Sequence, residues 1–282
     1  MLALTAVGCG SPNQADTDAV MAALEKFASC KSFTIVQTTE CLETMRADGE
    51  EMVFNSRNEL LLSLVTEPEL QLMTVTSTTV EGEGDVFEQS KLSYIVPENG
   101  GYAEYSTDGN EWYKYSAEDS SALSGINASS ITATFFADRL SYRKAGEEKL
   151  DSGKALRYEG ILSGDDLIGM LGSYGYLNNV AAMSADQQTK IMENIQKDLK
   201  GVTVSVWLDE ATGYPVRFEI NMGKILKDLE ESISKSLGNK ASDSQYTISD
   251  CIISMTVSDF DAVEKIDLPA AAAAAKPYEV TE

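Results

Sequence analysis

Four cysteines and no histidine set the covalent chemistry open to this 282-residue chain. Without an imidazole, Ser–His and Cys–His nucleophile pairs are excluded, and the commonest general base and metal ligand is missing. Cys9 has a chemical context of its own, because it closes the stretch LTAVGC at residues 4–9. An apolar segment that ends in small residues before a cysteine is the pattern of a bacterial lipidation signal. There the thiol takes a diacylglyceryl group, and acyl chains such as palmitate hold the protein to a membrane. Residues 1–8 have the apolar character of a signal-peptide core but carry no basic residue ahead of it, so they read as the remnant of a signal peptide whose start lies upstream. Residues 9–16 then read as the lipidated Cys9 and a polar tether. A plain thiol near a terminus is the competing reading.

The remaining cysteines are Cys30, Cys41 and Cys251. Cys30 and Cys41 flank a strand-like segment; ten extended residues span roughly 30 Å, whereas a disulfide needs Cα atoms within about 7 Å. Cys41 and Cys251 could pair if their strands are neighbours. Three buried thiols are an equally good reading of the same residues. No CxxC motif is present, so neither a zinc site nor a redox motif is expected, and no cofactor is.

Adjacent acids at Glu147-Glu148, Asp165-Asp166 and Glu230-Glu231 raise glycosidase chemistry. Two catalytic carboxylates must flank one bond at about 5–10 Å, which adjacency in sequence does not arrange. With 45 acidic residues in the chain, such pairs arise by chance and read as solvated faces. Asp108-Gly109-Asn110 lacks the further ligands of a Ca²⁺ loop. Neither a Gly-rich phosphate loop nor a GxSxG elbow occurs. No catalytic residue is expected and the chain does not read as an enzyme. Its net charge of −23 gives it no cationic footprint for nucleic acid. No apolar run reaches the ~18–20 residues of a membrane-spanning helix.

The elements that must position any site follow from periodicity. Residues 17–31 read as a helix, capped by Asp16 or Thr17, with Val20, Leu24, Phe27 and Ala28 on one stripe. A β-rich region follows. Strands are expected over 32–45, 59–65, 69–80, 91–96, 101–105 and 111–116, the last two joined by the turn TDGN. Residues 120–137 read as a loop with a short helix. Hairpin strands at 138–150 and 154–162 precede two helices, one opening at Ser163 and one at the capping box Ser184–Gln187. In 201–222 the alternation is clean: Val202, Val204, Val206 and Leu208 face one way, and Val216, Phe218, Ile220 and Met222 supply a matching face. A helix at 223–237 and a strand at 245–260 that closes the sheet complete the pattern. The expected fold is α+β: a single curved antiparallel β-sheet, an open half-barrel, with amphipathic helices packed on its concave face. One domain is expected over 17–268, and 269–282 reads as a flexible C-terminal tail.

This order of elements, with the phrases GNEWYKYS (109–116) and WLDEATGYPVRFEI (207–220), resembles bacterial cell-surface lipoproteins related to the lipoprotein-carrier fold. The resemblance implies a non-enzymatic protein that holds a lipid or other hydrophobic ligand between sheet and helices. It also implies a position on the outer face of the bacterial cytoplasmic membrane. Candidate ligand-lining residues are Leu167, Ile168, Met170, Leu171, Ile191, Met192 and Ile195, with ordinary core as the competing assignment. An alternative function is an envelope protein-interaction or sensor module. It would use the aromatic hairpin region, where Phe87, Tyr94, Tyr102, Tyr105, Trp112, Tyr113 and Tyr115 are concentrated; cross-strand stabilisation explains the same residues.

Overall fold

The computed structural model describes residues 11–47, 50–82, 84–117, 127–133, 135, 137–177, 180, 183–236 and 244–278. Helix α1 (Gln14–Ala28) begins where the Asn13 side chain accepts from the Asp16 N–H, and its stripe of Val20, Ala23, Leu24 and Phe27 is buried. Four long strands follow: β1 (Ser32–Ala47), β2 (Glu50–Val65), β3 (Gln71–Gly82) and β4 (Asp85–Glu98). The shorter β5 (Gly101–Thr107) and β6 (Trp112–Ala117) come next. Short helix α2 (Ala128–Ala133) and a 3₁₀ turn (Ala137–Arg139) lead into β7 (Tyr142–Leu150) and β8 (Gly153–Leu162). Helices α3 (Gly164–Ser173) and α4 (Ala185–Asp198) precede the pair β9 (Val202–Asp209) and β10 (Pro215–Asn221). Helix α5 (Gly223–Ser236), β11 (Ser244–Ser258), helix α6 (Ala270–Ala273) and β12 (Lys276–Pro277) complete the chain.

All twelve strands form one open sheet, ordered β12-β6-β5-β4-β3-β2-β1-β11-β10-β9-β8-β7. Every pairing is antiparallel except β12 on β6. The α+β half-open sheet expected from the sequence is therefore the observed architecture. The strand expected to close the sheet is instead central: β11 lies between β1 and β10. Alternation tells which face a side chain takes, but not which strand lies beside it.

Helices α1 to α5 bury their apolar stripes in one cluster with one face of the sheet, including Phe33, Ile35, Leu64, Val204, Phe218, Ile253 and Met255. Each such side chain, fully buried, contributes about 1.5–3 kcal/mol. One expected member is displaced. A register shift between Pro215 and Arg217 turns Val216 to the opposite face, where it packs with Trp207 and Ala155. The extra residue of a bulge breaks the period of two on which the alternation depends.

The segment read as a flexible tail differs from that expectation. Its described residues, 269–278, reach the outer, opposite face, where Ala272 is fully buried with Tyr94, Ala103 and Tyr105, and Lys276 pairs with Tyr113. An alanine run carries no amphipathic stripe, yet small side chains let the backbone lie close against aromatic rings.

Each sheet edge is covered in part. At β7, Tyr142 N–H donates to Thr17 Oγ1 at 2.9 Å and Lys144 N–H to Asp16 Oδ2 at 2.7 Å, while Tyr142 O accepts from Asn13 N–H at 3.1 Å. At β6, Lys114 O accepts from Tyr278 N–H at 2.8 Å, just beyond β12. Covered edges give another chain little backbone to pair with.

Candidate functional site

The candidate ligand seat is the layer between the concave sheet face and helices α3, α4 and α5. Helix α3 starts at Ser163 with Asp165 and Asp166 in its first turn, where carboxylates favour the positive end of the helix dipole. Helix α4 opens with the capping box expected from sequence: Ser184 and Gln187 satisfy each other's backbone. Helix α5 can begin where it does because residue 223 is glycine. A Cβ there would meet Asp250 Cα at 2.8 Å and Cys251 N at 3.2 Å. The preceding Met222 N–H donates to Cys251 O at 2.6 Å.

These elements converge on Cys251. Cys41 and Cys251 are directly opposed across β1 and β11 and are disulfide-bonded, with an S–S distance of 2.02 Å. The Tyr176 hydroxyl, in the turn after α3, lies 3.7 Å from Cys251 Sγ. Burial, with Glu43 nearby, pushes the Tyr176 phenol pKa up, so the ring carries no charge near neutrality. Cys30 is a separate buried thiol.

Five of the seven candidate lining residues, Leu167, Met170, Leu171, Ile191 and Ile195, are buried in the main cluster. Ile168 and Met192 are half-buried against it. All seven are thus brought together, and they pack as core. The same cluster includes Ile253 and Met255 of β11 and Met222, just after β10, all fully buried. Two open clefts lie elsewhere. One, of about 440 Å³, lies beside Trp112, Ala275 and Tyr278; the other, of about 370 Å³, lies beside Arg139, Arg143 and Ser163. None of the seven residues lines either cleft. Most of the apolar side chains of the helix layer are buried against one another. The layer offers apolar contact and adaptable thioethers but no acid–base pair. Among the described residues, no group of three or more Cys, Asp or Glu is placed to hold a metal ion.

Sequence reasoning missed Tyr176 and Gly223. A tyrosine in a turn and a glycine at a helix start carry no pattern that announces contact with a distant disulfide. Cys9 lies outside the described residues. Among those described, no helix is long and apolar enough to cross a membrane.

The aromatic hairpins are largely packed against their neighbours, and Trp112 and Tyr113 also line the cleft of about 440 Å³. Tyr94 and Tyr105 are buried and Trp112 packs beside them, with the Tyr94 and Trp112 rings 5.9 Å apart. Tyr113 and Tyr115 contact the Tyr278 ring at 5.9 and 4.9 Å. The Tyr105 hydroxyl donates to Glu98 at 2.9 Å, and Lys114 Nζ lies 2.6 Å from the same carboxylate. Only Phe87 stands in solvent, away from the others.

No protein-family model matches the chain, and no curated protein matches it. Two solved structures are similar in arrangement. One is LprF from Mycobacterium bovis, at 12% identity and a TM-score of 0.45, covering 93% of this chain and 100% of that one. The other is the lipoprotein LppX from Mycobacterium tuberculosis, at 12% identity and a TM-score of 0.40, covering 90% of this chain and 98% of that one. The likeness is of general architecture, and the geometry of this chain alone carries the functional reading.

Proposed function

We propose that the protein is a membrane-anchored extracytoplasmic lipoprotein. It binds a lipid or other hydrophobic ligand between the concave sheet face and helices α3–α5, by burial and without chemistry. The observation that carries this reading is the composition of that layer. Helices α3 and α4 bring Leu167, Met170, Leu171, Ile191 and Ile195 into one hydrophobic cluster with Met222 and with Ile253 and Met255 of β11, and α5 adds Ile225, Leu226 and Leu229. In the closed state the protein's own side chains fill the seat, and ligand enters as the helices part from the sheet. The Cys41–Cys251 bond supports an oxidising, extracytoplasmic location. Cys9 carries the anchor, which places the domain on the outer face of the cytoplasmic membrane.

Native mass spectrometry tests the binding. Protein purified from membranes and released from its anchor should carry acyl-containing adducts or take them up from phosphatidylcholine vesicles. A Met170→Trp variant, with its larger side chain in the layer, should take up less ligand. Folded protein that never acquires an adduct refutes ligand binding. Radiolabelled palmitate that labels the precursor equally with Cys9 or Ser at that position refutes the anchor.

A further inference from the structure

The outer edges of the sheet are partly covered, but an internal stretch of strand is not. Strand β4 begins at Asp85, yet β5 pairs with it only from Leu92, opposite Thr107. Among the described residues no strand pairs with the outer side of Asp85–Lys91. All seven residues of this stretch are exposed, and β3 holds its inner side in register from Asp85 to Lys91. The result is a half-paired strand whose outward backbone N–H and C=O groups have no strand partner among the described residues.

The side chains around this edge have an unusual character. Six large apolar residues are exposed among those described, and four of them, Leu42, Val53, Val86 and Phe87, stand at this end of β1, β2 and β4. Leu42 is opposite Asn55, Asn55 opposite Glu81, and Glu81 opposite Val86. Leu42 and Val86 therefore share a face, while Phe87, one residue on, takes the other. Acids flank the apolar pair: Asp85 and Glu88 bracket Val86 and Phe87 on the edge strand itself. The cations nearby already have carboxylate partners, Arg46 with Glu51 at 2.7 Å and Lys91 with Glu104 at 3.8 Å.

From this combination we infer that Asp85–Lys91 is a strand-addition site for an extended, cationic and apolar segment of a partner protein. The segment takes the place in the sheet that β5 leaves vacant before Leu92. Backbone hydrogen bonds give affinity, and alternate side chains give specificity. Lysines meet Asp85 and Glu88; aliphatic side chains meet Val86 on one face and Phe87 on the other. A second copy of the chain fits poorly, since edge-to-edge pairing sets these acids against each other within a molecule of net charge −23. A bilayer fits poorly too, because hydrocarbon cannot satisfy the outward backbone groups.

The register defines a probe. Antiparallel to Asp85–Lys91, the fluorescein-labelled peptide TTTKIVK, with an amidated C-terminus, places its isoleucine opposite Phe87 and its lysines opposite Glu88 and Asp85. Fluorescence anisotropy against the full chain should show saturable binding. The control TTTEIVE should bind roughly tenfold more weakly, as two cross-strand ion pairs turn repulsive. Replacing the valine, which lies opposite Val86, by proline should abolish binding by removing a backbone donor. The double variant Asp85→Lys/Glu88→Lys changes only exposed side chains and should reverse the preference between the two peptides. Amide hydrogen exchange should slow at 85–91 when TTTKIVK is bound. The inference is overturned by an absence of peptide binding, by a preference that ignores the charge reversal, or by protection elsewhere. Dimerisation through this edge, or binding to phosphatidylcholine vesicles that Asp85→Lys/Glu88→Lys leaves unchanged while the peptide does not bind, overturns it equally.

Discussion

The Cys41–Cys251 bond joins two strands paired at the centre of the sheet, between residues separated by 210 positions. Breaking it releases most of the chain in the unfolded state. The chain-entropy relation gives about 5 kcal/mol for closing a loop of this length, which is an upper figure because unfolded chains retain structure. The native state should change little: β1 and β11 keep their ladder from Thr34 opposite Ser258 to Ala47 opposite Ser244. A Cys41→Ala/Cys251→Ala variant should therefore fold and yet lose roughly 2–5 kcal/mol. Urea unfolding followed by tryptophan fluorescence reads this directly, because Trp207 is only 2% exposed in the folded state. The denaturant slope should also rise, since the uncrosslinked unfolded chain exposes more surface. Thiol titration in denaturant fixes the starting state: protein lacking Cys9 should show one reactive thiol, that of Cys30. If the parent shows that single thiol and the variant unfolds within about 1 kcal/mol of it, the crosslink does not constrain the unfolded chain as argued.

Three further outcomes follow from specific contacts. At Gly160 a Cβ would lie 2.9 Å from Leu140 Cβ and 3.2 Å from Tyr142 Cε1, so Gly160→Ala should cost about 1–3 kcal/mol in the same urea assay. A normal midpoint there would show that the β7–β8 face can relax. Truncation after Asp267 removes Ala272 from its packing against Tyr94 and Tyr105; the shortened protein should melt at lower temperature and bind more of an apolar fluorescent dye, and unchanged values would mean that the segment does not cover that face. Hydrogen bonds from Lys114 and Tyr105 hold the Glu98 carboxyl below its ordinary pKa of 4.5. A pKa lowered by folding adds stability above the ordinary value, and that stability is lost as pH falls through the folded-state value. Between pH 5 and 3 the parent should therefore lose more stability than Glu98→Gln, and parallel pH profiles would remove Glu98 as a contributor.

How much of this was legible beforehand differs from element to element. The helical stripe of Val20, Leu24 and Phe27, the box Ser184–Gln187 and the alternation of Val202, Val204 and Val206 are local, and local spacing decides which side of an element meets the core. Together they specify an antiparallel sheet with helices on one face. The absence of histidine excludes whole classes of catalysis, because composition does not depend on folding. Strand order is not local. That β11 enters the middle of the sheet, opposing Cys41 to Cys251, depends on contacts between residues about 200 positions apart, which no periodicity encodes. The bulge that turns Val216 onto Trp207 hides for a similar reason: one extra residue inverts a face while leaving every residue type acceptable.

The candidate ligand layer divides along the same line. Sequence alone determined which faces of α3 and α4 are apolar, because helical spacing puts Leu167 and Leu171, or Ile191 and Ile195, on one side. Only tertiary structure decided that those faces share one buried cluster with the sheet, that Tyr176 reaches Cys251, and that Asp85–Lys91 lacks a neighbouring strand on its outer side among the described residues. Those features depend on distances between elements, set by the packing of many side chains at once, whereas a sequence records only the order in which the side chains are strung.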